Sequence, residues 1–214
     1  GVFPARLYVT MRHFGLGDNV RVLNGHLRGW VAQGRAVAES NGSGKPNGSA
    51  TSAVVPRIIR GMVPEGVPGV VVDDNAVRRG VAAGDTTLLD VRPADQFSGE
   101  KKGPGVKVAG RIPGAVNVPW QEMVTGVKPP WLRPEAELRA TLTAAGVPEP
   151  GLNPPGGDTP GVISGKIPGA GAVIVYDAAG MHASLAFMVL AELGYEVSLY
   201  DGGYAAWSGL DAEE

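Results

Sequence analysis

The chain contains no cysteine in 214 residues. That excludes a thiol nucleophile, a disulfide and a thiolate-bound metal within it. Histidine is almost as scarce: His13, His26 and His182 are scattered, without the paired spacing of a metal site. No metal or cofactor is therefore expected. An excess of one charge is missing too. Nineteen Lys and Arg against 21 Asp and Glu leave a net charge of −2, with no electrostatic footprint for nucleic acid or acidic lipid. No apolar run approaches the ~20 residues of a membrane span. Glycine and proline, by contrast, are plentiful at 33 and 18 residues, and both crowd the stretch 147–171. That stretch is longer than an ordinary loop and is expected to be mobile or bound to a partner.

The most informative segment is Val173 to Gly194, VIVYDAAGMHASLAFMVLAELG. A short β-branched run, Val173–Tyr176, predicts a buried strand. Leu185, Met188, Val189 and Leu193 recur at helical spacing over Ala183–Leu193, and Gly194 stops the pattern. Between them lies a six-residue loop, Asp177, Ala178, Ala179, Gly180, Met181 and His182, running into Ala183. A tight loop from a buried strand into a helix aims several backbone N–H groups at one point. The helix dipole adds positive potential there, so the loop is an anion cradle with Asp177 at its entrance.

The start of the chain repeats its end. GVFPARLYVTMRHFG (1–15) aligns with GMHASLAFMVLAELG (180–194), and VRVLNGHLRGW (20–30) with VSLYDGGYAAW (197–207). The shared pattern predicts a helix, a strand, an Asn/Asp-Gly turn and a short helix carrying Trp30 or Trp207, both read as core anchors. An internal repeat of this kind makes residues 1–34 the C-terminal third of a second copy of one domain. Its apolar face then needs cover, either from the complete copy or from a stretch expected to precede Gly1. Residues 35–65 read as a Gly/Ser/Asn-rich linker with an extended entry, including Val54–Val55. Asn41 and Asn47 in N-x-S contexts are taken as linker composition rather than glycosylation sites. Residues 66–214 read as the complete copy.

Within that copy, Asp74 is expected to cap a helix through Ala83, Thr87–Val91 to form a strand, and Arg133–Ala145 a helix with Pro134 in its first turn. Gly110-Arg111-Ile112-Pro113-Gly114-Ala115-Val116-Asn117-Val118-Pro119 predicts a stiff turn into a further strand. Strands alternate with helices, so the fold class is α/β: a mostly parallel sheet with helices on both faces in three layers, plus the partial first copy. Ligands in such sheets lie beyond the carboxyl ends of strands, where Asp177 falls.

These motifs together resemble the rhodanese family of tandem-domain sulfurtransferases. The family's active loop is C-x-x-G-x-x-A/S after a V-x-Y-C strand. Here Gly180 and Ala183-Ser184 keep the frame, and Asp177 stands at the nucleophile's place. The Gly110–Pro119 stretch matches G-H-I-P-G-A-x-N-x-P with Arg111 for histidine, Asp90-Val91-Arg92 matches D-x-R, and Asp201-Gly202-Gly203 through Trp207 matches the domain end. The resemblance implies that the family loop holds transferred sulfur as a cysteine persulfide. An aspartate cannot do that, so no catalytic residue is expected.

The resemblance also implies that Arg92 and Arg111 could bind an anion, with Lys101, Lys102 and Lys107 on the same rim. The competing reading is a strand-end ion pair for Arg92 and a solvated basic loop for the rest. His182 could act as an acid or base, or simply make helix-start hydrogen bonds. Asp177 could accept a phosphoryl group or act as a base, but the loop offers no further acidic ligands for a metal. The first functional reading is a catalytically inactive homologue with a structural or regulatory role through protein partners, among them the absent part of the first copy. The alternatives are a sulfurtransferase whose nucleophile lies outside this chain or was substituted, and an anion- or phosphate-binding module. Tandem members occur in mitochondria, plastids and cytosol, so an intracellular setting, mitochondrial or plastid, is expected.

Overall fold

The computed structural model describes residues 2–17, 20–37, 66–126, 130–150 and 171–210. Two helices, α1 (Val2–His13) and α2 (His26–Ala32), come first. Then follow β1 (Val71–Val72), α3 (Asp74–Ala83), β2 (Thr87–Asp90), α4 (Ala94–Ser98), β3 (Val116–Asn117) and a 3-10 turn (Trp120–Met123). The chain continues through β4 (Val124–Thr125), β5 (Trp131–Leu132), α5 (Glu135–Ala144), β6 (Val173–Tyr176), α6 (Met181–Glu192), β7 (Val197–Tyr200) and α7 (Gly203–Leu210).

Five strands form one parallel sheet in the order β1-β7-β6-β2-β3, while β4 and β5 make a small antiparallel ribbon. Alternation along the central strands divides the core. Val173, Val175, Leu89, Val197 and Leu199 face Phe187 and Leu190 of α6, Leu138 and Leu142 of α5, and Tyr8 and Val9 of α1. Leu88, Ile174, Tyr176 and Tyr200 face the other way, onto Val77 of α3 and Tyr204 and Trp207 of α7. Both faces of β6 are buried, as a near-continuous apolar strand in a parallel sheet requires. The architecture is the three-layer α/β arrangement that the residue pattern predicts.

The strand order puts the site in place. From β2 the chain moves outward to β3, and from β6 it moves to β7 on the opposite side. The carboxyl ends of β2 and β6 therefore flank a switch point, with Asp90 in register with Tyr176. Backbone segments leaving these two strands diverge and open a crevice there.

Several boundaries differ from expectation for local reasons. The cap of α3 is Asp73, whose side chain accepts from the Ala76 N–H at 2.9 Å; Asp74 is the first helical residue. Pro134 is extended (ψ 145), so α5 starts at Glu135 and Arg133 lies outside it. Residues 20–23 are not a strand. Their counterpart β7 lies between two partners, β6 and β1, whereas residues 20–23 have no ladder among the described residues. Trp207 is buried, but Trp30 is only half-buried, its Nε1–H donating to the Ala36 carbonyl at 2.8 Å. Most of the expected linker, Val54–Val55, and 151–170 of the Pro/Gly stretch lie outside the described residues.

The N-terminal segment is seated on the domain built around the five-stranded sheet. Tyr8 and Val9 pack into the core beside α6, and Ala5 meets Val124 and Leu185. The Asn24 side chain accepts from the Leu132 N–H at 3.0 Å. Gly25 and Gly29 lie flat on the Trp131 ring, where any β-carbon would come within 2.6 and 2.8 Å of ring atoms.

Candidate functional site

The loop after β6 is held from below by α7. The Asp177 and Ala178 carbonyls accept from the N–H groups of Tyr204 at 2.7 Å and Ala205 at 3.1 Å. Gly203 makes this approach possible: at φ +58, with the Asp177 carbonyl oxygen 2.5 Å from where a β-carbon would sit, no side chain fits. The D-G-G motif is thus the floor of the loop.

Inside this frame the Asp177 carboxylate, 3% exposed, folds back into the cradle. Oδ1 accepts from the Ala179 N–H at 2.9 Å and from the Gly180 N–H, and Oδ2 accepts from the His182 N–H at 2.7 Å. The His182 Nδ1 lies 3.3 Å from Oδ2. Burial pushes the Asp177 pKa upward, but the His182 ring and the three N–H donors outweigh it and hold the carboxyl below its ordinary value. The helix start is thereby satisfied by a group of the chain itself. Ser184 turns inward, its Oγ donating to the Gly180 carbonyl at 2.6 Å, while Ala183 is buried and Met181 half-buried.

The imidazole of His182 stacks on Trp120, with centroids 4.7 Å apart and planes at 21°. Trp120 follows Pro119 directly, and its N–H donates to the Val91 carbonyl at 3.0 Å at the end of β2. The Ile112 N–H donates to the Tyr176 hydroxyl at 3.3 Å, so the Gly110–Pro119 stretch is tied to the strand that carries the loop. On the opposite rim Arg6 of α1 forms a bidentate pair with Asp201, one bond measuring 2.9 Å. This pair stands directly over Gly180. The hydrogen bond to Asp201 outweighs desolvation, and the charges of Asp201 and Asp177 add to it, so the Arg6 pKa is raised.

The other sequence candidates are placed elsewhere. Arg92 is buried, not presented to the loop. Its Nε donates to both Asp90 carboxylate oxygens at 3.0 and 3.1 Å, Nη2 donates to the Gly110 carbonyl at 2.8 Å, and the guanidinium lies 4.1 Å from the Tyr204 ring centre. It is the strand-end ion pair, held by the domain's own groups through Nε and Nη2, while its buried Nη1 has no hydrogen-bond partner. Arg111 is exposed and lies over Phe97 of α4 at 4.5 Å. Lys101 is 3.9 Å from Asp95, and Lys102 and Lys107 are exposed. Among the described residues no group of three or more His, Asp or Glu is arranged to hold a metal.

The sequence reading missed Trp120, Asp201 and Arg6 as neighbours of the loop. Two of them sit beside recognised motifs: Trp120 just after Pro119, and Asp201 inside D-G-G. Nothing local marks Arg6, because its role depends on α1 packing against α6.

Asp177 can serve as a hydrogen-bond acceptor, as a fixed negative charge, and as the orienting partner of an imidazole. It offers no soft, polarisable nucleophile of the kind that would accept a sulfur atom.

Comparison with known proteins agrees with this geometry. The family model described as Rhodanese-like domain matches residues 73–210. A 3-mercaptopyruvate sulfurtransferase of Escherichia coli is 29% identical over 207 residues, a match covering 94% of this chain and 59% of that protein. The chain therefore spans well under two thirds of that relative's length. Among solved structures, the anaerobic ergothioneine biosynthesis enzyme from Chlorobium limicola in complex with trimethyl histidine superposes with a TM-score of 0.67 at 22% identity, over 96% of this chain and 43% of that one. The wild-type structure of EanB gives 0.66 at 23% identity, over 96% and 42%. At these identities the structural likeness concerns the fold. With the sheet order, the loop frame and the match over residues 73–210 in agreement, the chain belongs to the family of rhodanese-like domains.

Proposed function

We propose that this chain is a catalytically silent rhodanese-like protein that acts through protein–protein contacts, in a structural or regulatory role. The observation that carries the reading is the carboxylate of Asp177, which occupies the cradle and takes the N–H groups of Ala179, Gly180 and His182. A sulfurtransferase loop must leave those groups for a thiolate and for the persulfide formed on it. Here they are spent on an oxygen acid that is a poor nucleophile toward sulfur. The same occupancy argues against an anion- or phosphate-binding module, since an incoming anion would have to displace a covalently tethered one.

The test is sulfur transfer from thiosulfate to cyanide and from 3-mercaptopyruvate to a thiol, with the protein as it stands and with Asp177→Cys. The unsubstituted protein is expected to show no turnover above background. Turnover by the unsubstituted protein would refute the reading and place the chemistry on another group. Gain of turnover in the variant would show that only the nucleophile separates this scaffold from its sulfurtransferase relatives.

A further inference from the structure

The segment between α4 and β3 concentrates positive charge that the cradle does not use. Lys101 to Arg111, KKGPGVKVAGR, holds four cations and no acid. The whole chain is net −2, so without these four cations it would be −6. The segment is a closed loop: a β-carbon on Gly99 would lie 3.4 Å from the Gly110 Cα, so its two ends touch. A compact loop of this length with its ends together is an Ω-loop. Its inner side is fixed. Val106 is 7% exposed and packs with Tyr204 and Trp207. The Lys101 N–H donates to the Asp95 carbonyl and the Lys107 N–H to the Ser208 Oγ, each at 2.9 Å, and buried Arg92 holds the Gly110 carbonyl. Its exposed side chains are the four cations, with Pro104 and Val108 between them, Val108 at 46%. Among the described residues, Asp95 lies 3.9 Å from Lys101, and no carboxylate is within ion-pair distance of Lys102, Lys107 or Arg111. Both members of the Asp95–Lys101 pair are well exposed, so that pair neutralises little.

We infer that the Lys101–Arg111 loop is a docking surface for a protein partner, and that the partner presents a short acidic segment: several Asp or Glu side chains with an apolar residue among them. The carboxylates would meet Lys102, Lys107 and Arg111, and the apolar residue would cover Val108. Charge complementarity of this kind sets partner choice and association rate. A loop already anchored from within loses little further freedom when a partner binds it. A membrane or a nucleic acid fits less well. Either presents negative charge over an area wider than one loop, and the net −6 of the remaining chain is repelled by it. A short acidic segment touches only the loop. The inference names a contact surface for the protein-contact role proposed above. Its test reads no sulfur transfer, so the binding measurement and the turnover assay fail independently.

The experiment is fluorescence anisotropy with a labelled twelve-residue peptide of repeating Glu-Glu-Val, at low salt, on the full chain. The parent protein is expected to bind it, and the double variant Lys102→Glu/Lys107→Glu to bind it more weakly by about tenfold or more. Arg28→Glu/Arg79→Glu makes the same change in net charge at two exposed arginines outside the loop and is expected to weaken binding by less than about twofold. Val108→Ser is expected to weaken the Glu-Glu-Val peptide while leaving a Glu-Glu-Gly peptide unchanged. Equal weakening by the two double variants would overturn the inference, because net charge rather than the loop would then govern binding. So would absence of binding by the parent protein. Tighter binding to phosphatidylserine vesicles or to duplex DNA than to the peptide would also overturn it and assign the loop to a lipid or nucleic-acid surface.

Discussion

Replacing Asp177 by alanine tests most directly what the loop carboxylate does. The substitution removes an acceptor and leaves three N–H groups converging on a space too enclosed for free hydration. The Gly180 N–H is buried, whereas those of Ala179 and His182 are partly buried and water can reach them in part. A buried donor left without a partner costs about 1–3 kcal/mol, and a donor accessible to water costs less. Loss of a fixed anion at the start of α6 adds about 0.5–1 kcal/mol. Asp177→Ala should therefore lower stability by about 2–4 kcal/mol at neutral pH.

The pH dependence supplies an independent check. The folded-state pKa of Asp177 is depressed below the ordinary 3.8. Its stabilisation is thus fully present above the unfolded value and is lost as pH falls through the lowered folded value. Urea unfolding of the two proteins across this range should show a gap at neutral pH that narrows in acid. A neutral-pH gap under about 0.5 kcal/mol, the size expected of an ordinary surface change, would refute the claim that the carboxylate holds the loop together.

Three further outcomes follow from the contacts around the loop. The Arg6–Asp201 pair is about one third exposed on one side and 41% on the other, so Arg6→Ala should cost no more than about 1 kcal/mol globally while speeding amide exchange in α1; unchanged exchange there would remove Arg6 as a tether. Gly203→Ala forces a β-carbon against the Asp177 carbonyl at positive φ and should destabilise by more than about 1 kcal/mol, a result that a thermal melt within error of the parent would contradict. Trp131→Ala removes the surface under Gly25 and Gly29 and should expose α2 to limited proteolysis while leaving the strands of the large sheet protected; an unchanged digestion pattern would show that the N-terminal piece is held without it.

The sequence by itself settled the fold class and the central unit. β6 spans Val173–Tyr176 as its β-branched run predicts, and β7 spans Val197–Tyr200, because both are buried on two faces and leave little room for another assignment. Gly180 and the missing thiol were equally legible, since a nucleophile and a φ-positive turn are properties of single residues, but the loop is shorter than the expected Asp177–His182: Gly180 at φ +81 caps α6, which starts at Met181 rather than Ala183 and ends at Glu192. Helix ends were less so: Asp73 rather than Asp74 caps α3, a choice between adjacent aspartates that only backbone geometry decides.

Tertiary structure decided the rest. Residues 20–23 share their pattern with β7 yet form no strand among the described residues, because strand formation depends on the neighbours that pair with it. Arg92 reads from its motif either as an anion ligand or as a strand-end ion pair, and the fold settles the choice by burying it against Asp90 and the Gly110 carbonyl. Arg6 and Trp120 reach the loop from opposite rims only after α1 packs on α6 and β2 pairs with β6. Local residue type carries chemical capability; which groups meet, and whether a charge faces solvent or a partner, is set by contacts between segments far apart in the chain.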